Sequence, residues 1–129
     1  MNEPATEVSK ILLVEDEAFV RDVACEILAE EGYEVLSART GAEALSLFHQ
    51  SGPIQLLVTD MVMPGMNGLD LADKLTSLCP GLKTLYMSGY NEDFGDHPVP
   101  LKNKDLPFLQ KPFTAEALST KVKEVLSLT

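Results

Sequence analysis

The chain has 129 residues, 45% of them hydrophobic, and a formal net charge of −10 from 20 acidic and 10 basic side chains. We therefore expect one compact domain with its own core, without a second catalytic or DNA-binding domain. The acidic balance argues against a nucleic-acid-binding surface, which normally needs a basic face. No apolar run approaches the roughly 20 residues that span a bilayer, so we expect a cytoplasmic protein without membrane contact. In that compartment Cys25 and Cys79 should be reduced thiols.

Short apolar runs alternate along the chain with stretches that carry apolar residues at helical spacing. Thr40, Asn67 and Thr114 are suited to cap helix N-termini, and Gly32 is suited to end a helix. In chain order, the pattern predicts a polar tail or linker over 1–9, a strand over 10–14, a helix over 19–28, a strand over 33–36, a helix from Thr40 to the break at 51–53, a strand over 54–59, a helix over 68–78, a strand over 82–87, an irregular stretch over 91–105, a strand over 106–110 and a helix from Thr114 onward.

Strands separated by helices predict an α/β fold over residues 10–129. We expect a five-stranded parallel sheet in the flavodoxin-like order 2-1-3-4-5, with helices on both faces. The fourth helix should be short or irregular, because the stretch 91–105 contains a glycine and two prolines. Proline inside a helix costs about 3 kcal/mol.

Polar side chains follow four of the predicted strands, at the point where each strand ends. They are Glu15 and Asp16, Asp60, Ser88, and Lys111. Because parallel strands end at one edge of a sheet, these residues should converge there. Crowded carboxylates repel one another by about 4 kcal/mol per pair at roughly 4 Å, so we expect a cation beside them. Carboxylates are hard oxygen ligands, which suit Mg²⁺. A divalent ion, a lysine and a hydroxyl could neutralise a phosphoryl group transferred to a carboxylate.

These motifs, with Met63-Pro64-Gly65 after Asp60 and Gly89 after Ser88, resemble the receiver domain of bacterial two-component response regulators. The resemblance covers residues 10–127. The sequences around Ser88 and Lys111 are most similar to receivers fused to hybrid sensor histidine kinases. The resemblance implies either such a module or a stand-alone receiver.

The resemblance also implies a role for each acid. Asp60 would accept a phosphoryl group from a phosphohistidine of a histidine kinase or phosphotransfer protein. Asp16, Asp60 and the main-chain carbonyl of Val62 would bind Mg²⁺ directly, and Glu15 would act through a bound water. Glu15 replaces the more usual aspartate, which lengthens that arm and keeps its charge.

The remaining implied roles concern switching. Lys111 would pair with the carboxylate and then with the phosphoryl oxygens, and its bond to Pro112 would be cis. Ser88, where threonine is frequent, would donate its hydroxyl to the phosphoryl group. Phe108 occupies the switch aromatic position and would turn inward when Ser88 moves, without the phenol oxygen of a tyrosine.

Three other functions compete for the same residues. A haloacid-dehalogenase-type phosphatase needs a second aspartate two residues after the nucleophile, where this chain has Val62. A nucleotide-binding module needs a glycine-rich phosphate loop, which the sequence lacks. A receiver fold that docks to partners without phosphorylation remains the alternative. Catalysis would in any case be limited to self-catalysed phosphoryl transfer, unless the domain belongs to a larger histidine kinase.

Overall fold

A computed structural model describes residues 9–63, 65–88 and 107–127. Five strands and four helices lie within these ranges and alternate along the chain. They are β1 (Lys10–Val14), α1 (Ala18–Glu30), β2 (Glu34–Ala38), α2 (Gly41–Ser51), β3 (Leu56–Asp60), α3 (Gly68–Leu78), β4 (Lys83–Ser88), β5 (Phe108–Gln110) and α4 (Ala115–Leu126).

The strands form one parallel sheet in the order β2-β1-β3-β4-β5, which confirms the predicted fold class. Thr59 of β3 is paired with Val14 of β1 and with Tyr86 of β4, and Tyr86 is paired with Phe108 of β5. This register brings the carboxyl ends of four strands to the same edge. The short helix predicted between β4 and β5, and most of the tail over 1–9, lie outside the described residues.

The two faces of the sheet carry separate apolar clusters, because successive side chains of a strand point to opposite faces. Leu12, Val14 and Leu57 pack with α2 and α3 on one face. Leu13 and Val58 pack with α1 and α4 on the other. The central strands are therefore buried on both faces, which explains why they read as continuous apolar runs.

The predicted helix caps are all observed. The Thr40 hydroxyl accepts a hydrogen bond from the Glu43 N–H at 3.1 Å, and the Asn67 amide oxygen accepts one from the Asp70 N–H at 2.8 Å. At the start of α4, the Thr114 hydroxyl accepts a hydrogen bond from the Ala117 N–H at 3.0 Å. Each cap satisfies a backbone donor that the first helical turn leaves without an intrahelical partner.

Several strand boundaries differ from the prediction by one or two residues. β3 extends to Asp60 and β4 to Ser88, so both polar residues end strands instead of following them. β2 begins at Glu34, because the Tyr33 N–H still bonds to the Leu28 carbonyl of the preceding helix. Cys25 and Cys79 are both free thiols, as expected. Among the described residues, no helix combines the length and apolar character needed to cross a membrane.

Candidate functional site

A largely buried lysine bridges two carboxylates at the carboxyl edge of the sheet. Lys111 Nζ lies 3.0 Å from Asp60 Oδ2 and 3.2 Å from Glu15 Oε1. Glu15 is fully buried, Asp60 is 1% exposed, and the Lys111 side chain is 11% exposed. Ionised side chains are seldom buried unless they are paired, so these three groups depend on one another for their charge.

Backbone hydrogen bonds beyond the strand ends set these positions. The Lys111 N–H donates to the Ser88 carbonyl at 2.8 Å, and the Met61 N–H donates to the Met87 carbonyl at 2.9 Å. The parallel ladder therefore continues past the last residues of β3 and β5. The peptide bond from Lys111 to Pro112 is cis, as the receiver resemblance implied.

A third acid completes a pocket that fits a metal ion. Carboxylate oxygens of Glu15, Asp16 and Asp60 all lie within 4.8 Å of one another, with Asp16 on the exposed rim. The second oxygen of Glu15 accepts a hydrogen bond from the Glu17 N–H at 3.0 Å, which holds the side chain in place. Three hard oxygen donors in one cluster suit a divalent cation such as Mg²⁺.

The pocket shifts the proton affinities of its own groups. Burial raises the pKa of Glu15, although the hydrogen bond from Glu17 and the charge of Lys111 oppose this shift. Burial alone would lower the pKa of Lys111, but the hydrogen bond to Asp60 and the charges of Asp60 and Glu15 raise it well above its ordinary value. Lys111 is therefore a permanent cation at physiological pH.

The two predicted switch residues lie on neighbouring strands. Ser88 is buried at the end of β4, one position beyond Met87, which is paired with Asp60. Phe108 begins β5 opposite Tyr86 and is 36% exposed. Their proposed movements stay predictions.

The sequence matches the model of the response regulator receiver domain over residues 11–123. The chain belongs to this receiver family. Similar curated proteins include the sensor kinase CckA of Brucella abortus (strain 2308), 40% identical over 96% of this chain, and the response regulator receiver protein CpdR of the same organism, 34% identical over 92% of this chain. The receiver spans 13% of that sensor kinase but 98% of CpdR.

Solved structures support the same assignment. The crystal structure of the receiver domain from the hybrid histidine kinase CckA is 33% identical, with a TM-score of 0.75, covering 92% of this chain and all of the other. A receiver domain protein from Clostridium thermocellum is 28% identical, with a TM-score of 0.78, covering 92% of this chain and 94% of the other.

Two further residues shape the receiver site and were not predicted from the sequence. The Arg21 guanidinium donates to the Glu15 carbonyl at 2.9 Å and so fixes the chain after β1. Gly68, the first residue of α3, packs its Cα against the backbone of Asp60 and Met61. A glycine directly after the N-cap Asn67 indicates that another part of the chain approaches the helix closely at this point. No sequence pattern indicates which part that is.

Proposed function

We propose that this receiver is the phosphoacceptor of a two-component phosphorelay, in which Asp60 becomes an aspartyl phosphate. The observation that carries the proposal is the position of the Lys111 ammonium, 3.0 Å from the Asp60 carboxylate beside two further acids. A carboxylate nucleophile, a fixed cation and a metal pocket are the parts that phosphoryl transfer requires.

The transfer itself exchanges one bond for another. An Asp60 carboxylate oxygen forms a bond to phosphorus while the phosphorus–nitrogen bond of a phosphohistidine breaks, and its electron pair stays on the imidazole, which takes up a proton. Lys111 then pairs with the phosphoryl oxygens, and the Ser88 hydroxyl donates a hydrogen bond to one of them. Both groups compensate charge that would otherwise accumulate in a buried site.

Mg²⁺ is the cation that we propose for the pocket, where it would neutralise phosphoryl oxygens during transfer. Asp16 and Asp60 would bind it through carboxylate oxygens and Val62 through its main-chain carbonyl, with Glu15 acting through water. The clustering of the three carboxylates supports this assignment.

We propose that Ser88 and Phe108 then pass the signal to the face formed by β4 and β5. The ladder bond between the Ser88 carbonyl and the Lys111 N–H supports the proposal, because it couples the two strand ends directly. Phe108 is partly exposed, so an inward turn would bury apolar surface and change the face that a partner meets.

The proposed phosphodonor is a histidine kinase or phosphotransfer protein. An apolar surface beside the site supports a protein donor: Phe19 is 79% exposed at the start of α1. A contiguous apolar patch is typical of protein contacts, whereas a single exposed apolar side chain is not. Phe19 borders a cavity of about 120 Å³ lined also by Val20, Val23, Lys111, Pro112 and Phe113.

Two settings for the receiver follow from its relatives. The similarity to the sensor kinase CckA supports a receiver module of a hybrid histidine kinase, and the similarity to CpdR supports a stand-alone receiver. The phosphoacceptor role is the same in both settings.

The test is the intact mass of the protein after incubation with Mg²⁺ and acetyl phosphate. We expect one phosphoryl adduct that disappears in Asp60→Asn and in the presence of a chelator. A folded protein that forms no adduct with acetyl phosphate or with a phosphorylated histidine kinase would instead be a docking module. An adduct that persists in Asp60→Asn would show that Asp60 is not the acceptor.

A further inference from the structure

The start of α3 lies against the backbone of the phosphoacceptor residue. The Gly68 N–H donates to the Met61 carbonyl at 2.9 Å. A Cβ on Gly68 would collide with the Asp60 carbonyl oxygen and would lie 3.0 Å from Met61 Cα and 3.1 Å from the Asp60 carbonyl carbon. All three atoms belong to the main chain, so a methyl group here cannot be accommodated by a side-chain rotation.

This contact acts on the part of the chain from which a metal ligand is expected. Val62 follows Met61 directly, so the position of its carbonyl depends on the position of the Asp60–Met61 backbone. Gly68 holds that backbone from one side through steric contact and one hydrogen bond. On the other side, the Met61 N–H bonds to the Met87 carbonyl of β4 at 2.9 Å.

We propose that Gly68 is a positioning residue for the metal pocket: its lack of a side chain lets α3 clamp the Asp60–Met61 backbone and so sets where the Val62 carbonyl lies. The inference rests on the proposed function, because it concerns the same pocket. Gly68 does not touch the ion itself. It acts through the main chain of Asp60 and Met61.

A second glycine provides a matched control. Gly41 is also the first residue of a helix, after the cap Thr40, just as Gly68 follows the cap Asn67. The three atoms nearest to a Cβ on Gly41 would all belong to the Met66 side chain, with Sδ at 2.9 Å and Cβ at 3.1 Å. Neither glycine has a positive φ, so the backbone dihedral angles at both sites are ones that alanine adopts readily, and alanine has the higher helix propensity. The two substitutions differ in what the methyl group meets.

The experiment measures the Mg²⁺ dissociation constant of the full chain by nuclear magnetic resonance, following the amide signals of Asp16 and Val62. The free energy of unfolding is measured beside it in metal-free buffer. We expect Gly68→Ala to raise the dissociation constant at least tenfold and Gly41→Ala to leave it within twofold. A merely structural role would lower stability without changing the affinity of the molecules that remain folded.

If Gly68→Ala does not fold, the two helix caps replace it as the matched pair. Asn67→Ala loosens the first turn of α3 without adding an atom beside Asp60, and Thr40→Ala does the same to α2. We expect at least a fivefold rise in the dissociation constant for Asn67→Ala and less than twofold for Thr40→Ala. Equal Mg²⁺ affinities across either pair would overturn the inference. A wild-type chain that binds no Mg²⁺ would overturn the proposed metal site as well, so the two failures are distinguishable.

Discussion

Lys111 is the single cation between two buried carboxylates among the residues that the structure describes around the pocket. Its contribution differs from that of the exposed pair of Lys121 and Glu124, which lies 3.3 Å apart on α4. Loss of one partner from a buried pair leaves uncompensated charge, whereas loss of an exposed pair costs little. The ion pairs of Lys111 should therefore contribute much more to the stability of the fold than the ion pair of Lys121 does.

We expect Lys111→Ala to lower the free energy of unfolding in metal-free buffer by about 3 kcal/mol, because Glu15 and Asp60 then face each other without a cation. Added Mg²⁺ should raise the free energy of unfolding of Lys111→Ala by more than it raises that of the wild type. Denaturant unfolding with and without Mg²⁺ measures both effects. Lys121→Ala serves as the control, with an expected change below about 0.5 kcal/mol. Equal losses in the two variants would show that Lys111 does not neutralise the pocket.

Among the elements, β4 joins the apolar core to the site. Tyr86 is paired with Thr59 and Phe108, and it is buried in the cluster that packs against α2 and α3. Burial raises the pKa of Tyr86 from 10.0 to about 12, with a smaller contribution from the charge of Asp73. A phenol that keeps its proton in the fold and releases it on unfolding makes stability fall with pH.

The alkaline stability of the protein should therefore depend on Tyr86. Between pH 10 and about 12 the unfolded chain loses this proton while the folded chain retains it, so stability falls as pH rises through that window. We expect Tyr86→Phe to remove about 2 kcal/mol of this loss. Denaturant unfolding at several pH values measures the slope. Tyr33→Phe is the control with the smaller expected effect, because Tyr33 is only partly buried; identical slopes in the two variants would contradict the prediction.

The elements were predictable from sequence where burial and caps act locally. Thr40, Asn67 and Thr114 each cap a helix as expected, because the hydroxyl or amide and its backbone donor lie three residues apart. Strand ends were less predictable, since cross-strand hydrogen bonds decide them. The Lys111 N–H that bonds to the Ser88 carbonyl is one such contact.

The candidate site was likewise predictable from the sequence only in part. Each of its acids followed an apolar run, so their convergence at one edge could be inferred from parallel-sheet geometry. The clamp by Gly68 could not be inferred, because it depends on how closely α3 approaches the Asp60 backbone. That distance is set by packing of the whole layer and not by local sequence.

At the scale of the whole molecule, three clustered carboxylates share one lysine at the pocket, and a cation that binds only the folded chain stabilises the fold. At a Mg²⁺ concentration about one hundredfold above the dissociation constant, we expect a gain of about 2.7 kcal/mol. For a domain of this size this corresponds to a rise in Tm of about 10 °C. Thermal unfolding in Mg²⁺ and in chelator measures it, with Asp16→Asn as the control. Equal Tm values for the wild type in both buffers would contradict the proposed metal site.

The bridge from Lys111 to Glu15 joins residues 96 positions apart in the chain. Glu15, Asp60, Ser88 and Lys111 come from the ends of four different strands, and a chain synthesised only through β4 still lacks the lysine. The proposed acceptance of a phosphoryl group would consequently require nearly the complete sheet, including the slow pairing of distant strands. In a cell, a chain whose sheet is incomplete would therefore be unable to accept the proposed phosphoryl group. Only completely folded chains would then take part in signalling.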